Sequence, residues 1–503
     1  MRKEYKILLC WALLLKLVVF CSAQTQDIAK YPTPVIPPSP NAAELGRYGN
    51  VPVGLFTGTV NQNVPIADIP IGNYSLSLSL NYNSSGVRVP QEASHVGLSW
   101  SLNAGGAITR SVIGLPDEEY YLLQTARLVP TTGEMEPRED FLYYLRLSEN
   151  LNYDTQPDMF YYNFDGKSGR FFFDQNKVAY CAKQDNIKIT WVNTNKFEII
   201  TENGLKYIFE DVETSSNDNK LGTVYYFPST WYLSKICLPD NTELVKFNYT
   251  SYSTQTKQYQ SNTFTHSNSI YGPGAAPSYC SSDLPEDPGG VYVTEINARI
   301  LHDIVFRTGK IEFEISGRQD HLMEKKIDKI VIRNNDTKIK EVSFNYSYFN
   351  NTATVLETDL KRLKLESISF KDRNSLFVNQ YTFVYEESVT LHQKSSWSQD
   401  HWGFYNGKTN AHLVPTYYYT YTDNTGAWSR EITGADRSTD YNYMKAGVLK
   451  EIKYPTGGTT KFTYEANDIG GGTEMKYPEM QVTKTAITNI PNGTYTSELT
   501  FSV

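Results

Sequence analysis

The chain has 503 residues and a formal net charge of −8, and a cleavable leader at its start would carry off more basic than acidic residues, leaving the rest more acidic still. Phosphate binding needs clustered Lys and Arg, so nucleic acid is not an expected partner. Beyond the first 23 residues only Cys181, Cys237 and Cys280 remain, widely spaced and without a C-x-x-C pair. That pattern suggests neither a zinc site nor a disulfide framework, and leaves three structural thiols or one bridge among them.

Taken in chain order, Arg2, Lys3 and Lys6 precede an apolar run from Ile7 to Phe20 and a small-residue exit, Cys21-Ser22-Ala23. This is the layout of a secretory signal cleaved after Ala23. The run is shorter than the roughly 20 apolar residues of a spanning helix and is interrupted by Lys16, so no membrane span is expected once it is removed. Export to the cell surface, periplasm or medium follows. Residues 24–45 contain the segment Tyr31 to Asn41, with five prolines in eleven residues, which reads as an extended spacer.

The rest of the chain has a strand-and-turn composition: 38 Tyr, 23 Phe and 7 Trp, with abundant Thr, Ser and Asn. An N-terminal β domain is expected over 46–175. Within it, Tyr74 to Tyr82 alternates so strictly that Leu76, Leu78 and Leu80 should share the buried face of one strand. Pro116-Asp117-Glu118-Glu119 resembles a helix start with acids in its first turn, and a second short helix is expected over Arg138 to Glu149. Asp165-Gly166 between two aromatic runs predicts a hairpin turn. The following Lys167-Ser168 does not make a phosphate loop, because Tyr161 stands where that loop needs its first glycine.

A β-hairpin repeat region is expected over 176–465. A unit of the form apolar-x-x-Ile, polar turn, then Phe-x-Tyr or a near equivalent recurs at Leu233 to Tyr249, Leu301 to Ile315, Ile327 to Tyr346, Leu365 to Tyr385 and Leu449 to Tyr464. One hairpin is marginal alone, so successive copies should pair edge to edge around a shared face. Ile236, Ile304, Ile330, Ile368 and Ile452 are the predicted inward anchors. Their irregular spacing argues against a propeller of equal blades and for a winding sheet. Residues 466–503 hold Gly470-Gly471-Gly472, read as a joint, and terminal strands.

Ser39 to Ala43, Leu45 to Gly49, the GLSWSLNAGG stretch from Gly97 to Gly106, Asp400 to Gly407 and the YPTGG stretch from Tyr454 to Gly458 together resemble the N-terminal region of large secreted bacterial RHS/YD-repeat proteins. The resemblance implies a hairpin array that spirals into a hollow shell, often enclosing or displaying a variable C-terminal domain, in some members a toxin. The tandem G-x-x-x-x-Y-x-Y-D units of a full array are missing, so a partial shell is the expectation.

Catalytic signatures are sparse. The sequence has no H-E-x-x-H, G-x-S-x-G or G-x-G-x-x-G, and its seven histidines are scattered without metal spacing. His401, between Asp400 and Trp402, reads as a surface loop or aromatic corner. The carboxylate groups Asp117-Glu118-Glu119 and Glu286-Asp287 are too close in sequence to face one another across a sugar. Asp423-Asn424-Thr425-Gly426 and Asn217-Asp218-Asn219 resemble fragments of calcium loops without the full ligand series. No cofactor, metal or catalytic residue is therefore expected. Trp402, Tyr418 and Tyr421 are the candidate ligand contacts. The expected function is an exported, non-enzymatic RHS/YD-like scaffold or shell segment for surface interaction or cargo display, with a protein or glycan at the cell surface as its partner. The alternative is a glycan-binding or glycan-cleaving surface protein that uses exposed Tyr and Trp.

Overall fold

The structure is a computed structural model that describes residues 60–113, 116–118, 121–123, 157–183, 185–218, 224–259, 291–350, 358–423, 426–432, 434–465, 484–490 and 494–502. For 123, 217–218, 224–225, 257–259, 291–292, 417–423, 426–432, 465, 484–490 and 494–502 the description covers backbone only. The leader, the spacer, the expected helix over Arg138 to Glu149, Cys280, Glu286-Asp287 and Gly470 to Gly472 lie outside the described residues. Among those described the protein is mainly β, as expected.

Strands β1 (Val60–Ile71), β2 (Tyr74–Ser84) and β3 (Trp100–Asn103) form a three-stranded antiparallel sheet in that order. Leu76, Leu78 and Leu80 are buried while Ser75 and Ser77 are exposed, so the alternation read from the sequence sets the face.

Strands β4 (Gly106–Ser111), β5 (Met159–Phe164), β6 (Lys167–Phe173) and β7 (Ala179–Cys181) pair in sequence as a meander. The β5–β6 turn uses positive φ at Asp165 (47°) and Gly166 (72°), the conformation that Asp-Gly tolerates in a tight hairpin. Strands β8 (Ile187–Asn193), β9 (Lys196–Thr201), β10 (Lys206–Asp218) and β11 (Val224–Cys237) follow, again antiparallel. Between these groups lies a dense aromatic core in which Phe160 packs against Phe171, Trp191, Phe197 and Trp231, and Phe164 against Tyr207. Strand β4 also pairs with β11. The expected boundary at residue 175 therefore does not separate two sheets, and residues 51–503 cluster as one unit.

At Asp117 the outcome differs from the expected α-helix. The described residues make a turn and a 3-10 turn at Tyr121–Leu123, and the acids serve tertiary contacts instead of a helix dipole. Asp117 is buried and accepts from the Asp158 backbone, while Glu118 and Asp158 both pair with the buried Arg110. A buried guanidinium needs its counter-charges nearby, which outweighs a few tenths of a kcal/mol of helix-dipole energy.

The sheet continues through β12 (Glu243–Tyr259), β13 (Val291–Phe306), β14 (Gly309–Gly317), β15 (Lys325–Asn334), β16 (Thr337–Phe349), β17 (Arg362–Lys371) and β18 (Phe377–Tyr385). After a separate ribbon, β19 (Tyr417–Asp423) with β20 (Gly426–Ile432), and the single-turn helix α1 (Tyr441–Met444), it resumes at β21 (Leu449–Lys453) and β22 (Thr459–Glu465). Strands β23 (Lys484–Ile490) and β24 (Thr494–Ser502) complete it, β24 lying parallel to β22. Near its start the sheet closes on itself, because β10 pairs with both β11 and β13 while β12 pairs with both as well.

All five repeat units are hairpins, and all five predicted anchor isoleucines are buried. Each unit also carries a β-bulge at its second residue. Ser234, His302, Asp328, Glu366 and Lys450 are the extra residues where the ladder to the preceding strand slips by one. A bulge bends its strand and increases local twist, so one bulge per hairpin winds the sheet. In four units the closing tyrosine returns to this point. Tyr249 donates its hydroxyl proton to the Leu233 carbonyl at 2.8 Å, Tyr346 to Ile327 at 2.8 Å, Tyr385 to Leu365 at 2.8 Å and Tyr464 to Leu449 at 2.6 Å. The unit ending in Ile315 has no hydroxyl to offer.

The three-stranded sheet packs on the side of this array that the anchors face. Trp100 lies 4.4 Å from Phe383 by ring centroids and donates its indole N–H to Tyr385 Oη at 2.8 Å. Tyr82 Oη accepts from the Leu449 backbone, and the Leu98 backbone donates to Leu363. The fully buried Arg362 donates to the carbonyls of Val89, Gln91 and His392, fixing the loop that leads from β2 to β3.

Candidate functional site

The residues proposed from sequence as ligand contacts do not assemble into a described site. Trp402 is 40% exposed and sits in a turn built by Asp400, whose buried carboxylate accepts from the backbones of Trp402 and Phe404. Burial pushes that carboxyl up, and it is committed to the turn. Burial likewise pushes the His401 imidazole down. Tyr418 and Tyr421 lie on β19, opposite Glu431 and Trp428 of β20, and their side chains lie outside the described residues. Asp423 and Gly426 pair at the end of this ribbon, and Asn217-Asp218 ends β10. Among the described residues no group of three His, Cys, Asp or Glu is arranged to hold a metal, and Cys181 and Cys237 are free thiols.

A cavity of about 330 Å³ opens elsewhere, where the corner between β3 and β4 meets strands β11 to β13. Its near side is Ser101 to Gly106 of the GLSWSLNAGG stretch together with Ala107, and its far side includes Tyr232, Tyr249 and Arg299. The glycine pair makes the corner. A Cβ on Gly106 would stand 2.5 Å from Phe164 Cβ, and one on Gly105 would stand 3.3 Å from the Phe247 ring. Only bare backbone passes between those walls.

Behind the cavity runs a chain of hydrogen-bonded ionisable groups. His95 Nε2 lies 2.8 Å from Tyr252 Oη, and Tyr252 donates to Glu324 Oε2 at 2.8 Å, while Thr254 donates to Glu324 Oε1 at 2.8 Å. Because the Tyr252 hydroxyl donates to Glu324, the His95 nitrogen is the donor to Tyr252. A second carboxylate, Glu213, accepts from Tyr232 at 3.1 Å and from Thr230 at 3.3 Å. The two acids are driven apart. Burial pushes Glu213 up, whereas hydrogen bonds from His95, Thr254 and Tyr252 overcome burial and hold Glu324 down to about 2. Such a split is the usual mark of an acid and a base with different roles. Here, however, His95 and Tyr232 line the cavity and the two carboxylates do not. Each acid has both oxygens engaged by hydroxyl donors, an arrangement that positions tyrosines better than it transfers protons.

Sequence reasoning missed this cluster because its members come from positions 95, 213, 232, 252 and 324, each unremarkable locally. The one available signal was the density of GLSWSLNAGG, whose glycines proved to shape the cavity wall. No protein-family model matches the chain, and no curated protein matches it.

Proposed function

We propose that the chain is an exported, non-enzymatic scaffold of the RHS/YD-like kind, a shell segment for surface interaction or cargo display. The observation that supports this best is the recurrence of one building device, an anchored hairpin with a bulge at its second residue and, in four of five units, a tyrosine bonded back to that bulge. Repetition of one structural unit extends a surface; it does not by itself converge on a reacting atom. The engaged carboxylates behind the cavity agree with that reading.

The test is an activity screen of the purified chain against polysaccharide, peptide, ester and phosphoester substrates, run beside limited trypsin digestion. The expected outcome is a large protease-resistant body and no turnover. Reproducible, saturable hydrolysis of any defined substrate, lost in Glu213→Gln or Glu324→Gln while the fold is retained, would overturn the proposal.

A further inference from the structure

We propose that the cavity beside the Gly105-Gly106 corner is a binding site for a neutral saccharide of one or two rings. Its volume of about 330 Å³ is at the small end of ligand sites, which run from about 300 to 1,000 Å³.

Charge on the wall decides the ligand class. Arg299 on the wall is already matched within the protein, its Nε 2.5 Å from Asp211 Oδ1, and the His95 ring is engaged by Tyr252 Oη at 2.8 Å. A charged ligand would find no uncompensated partner there, and would lose its hydration without recompense. A neutral polyol avoids that cost.

The remaining surface suits such a ligand. Tyr232 and Tyr249 stand side by side with ring centroids 5.3 Å apart, a pair of faces for the C–H side of a sugar ring. Their hydroxyl protons are spent on Glu213 and the Leu233 carbonyl, so toward the cavity the oxygens are acceptors. Donors come from Asn103 and Asn163, which line the cavity and whose side-chain amides have no hydrogen-bond partner among the described residues. A saccharide hydroxyl, donor and acceptor at once, meets both. The corner is preformed, since Gly106 is wedged against β5 and the tyrosine hydroxyls are tied down, so little ordering entropy opposes binding.

The inference is separable from the scaffold reading, which concerns turnover, whereas this concerns binding without turnover. It is tested by saturation-transfer NMR on the purified chain with cellobiose, maltose, xylobiose and N,N′-diacetylchitobiose, and with glucuronate as charged control. At least one neutral disaccharide should bind saturably. Its affinity should fall about tenfold or more in Ser101→Trp, which fills the mouth from an exposed position, and clearly in Asn103→Ala, with thermal unfolding of both variants unchanged. The inference is overturned if none of the four binds, if binding survives Ser101→Trp undiminished, or if glucuronate binds as well as the best neutral sugar.

Discussion

The hydroxyls of Tyr249, Tyr346, Tyr385 and Tyr464 all reach a carbonyl beside a bulge, where the ladder of backbone hydrogen bonds is interrupted. Removing such a donor leaves an acceptor short of a partner in a largely dry place. Tyr346→Phe should therefore cost about 1–3 kcal/mol in denaturant unfolding, although the ring and its packing on Phe344 remain. A change below a few tenths of a kcal/mol would show that the bulge needs no lock. Glu324 gives a pH prediction of definite sign. Its folded pKa is held near 2 against an ordinary 4.5, so its stabilisation is complete above about pH 4.5 and disappears as pH falls toward 2. The full contribution is of order 3 kcal/mol. Glu213 runs the other way: with its pKa raised, it favours the fold while protonated and loses that contribution as pH rises through its folded value. Stability measured at about pH 3 and pH 7 should therefore change less in Glu324→Gln than in the parent, and an identical pH slope in both would refute the assignment.

At the scale of elements, the corner between β3 and β4 is the tightest demand on the chain. A methyl group on Gly106 would stand 2.5 Å from Phe164 Cβ and 2.9 Å from the Asn163 carbonyl, and both belong to the strand that β4 must pair with. Gly106→Ala should destabilise by about 1–3 kcal/mol as an overpacking substitution. Gly317→Ala, where a Cβ meets nothing within 4 Å, should be close to neutral and serves as the control. Thermal unfolding of the pair decides it, and equal melting temperatures would show that β4 and β5 can separate without loss. Much at this scale was legible in the sequence. The hairpins were, because a fourth-position isoleucine, a polar turn and a closing aromatic recur within about 20 residues. Bulges were not: their extra residues, Ser234, His302, Asp328, Glu366 and Lys450, share no side-chain chemistry, and a bulge is set by backbone pairing. The helix signal at Asp117 misled because a buried Arg110 from β4 claimed the neighbouring acids.

For the whole molecule, the decisive contacts join residues hundreds of positions apart, which is why neither the cavity nor the seating of β1 to β3 could be read from local pattern. Trp100 meets Tyr385 across 285 residues, and Tyr82 meets Leu449 across 367. Through these bonds the small sheet bridges β18 and β21, which pair directly across a long insertion in sequence. Trp100 contributes both a ring against Phe383 and the N–H that Tyr385 Oη accepts, while the Tyr385 hydroxyl donates to the Leu365 carbonyl. The three groups therefore act as one network, and single substitutions should not add. In a double-mutant cycle, Trp100→Phe and Tyr385→Phe should each destabilise, and the double variant should lose less than the sum by about 0.5–3 kcal/mol. Unfolding followed by tryptophan fluorescence and by far-ultraviolet dichroism should coincide in the parent, as expected for a body stapled from both ends of its sequence. Additive losses in the cycle, together with a fluorescence transition that precedes the loss of β structure, would mean that the small sheet detaches on its own and that the array stands without it.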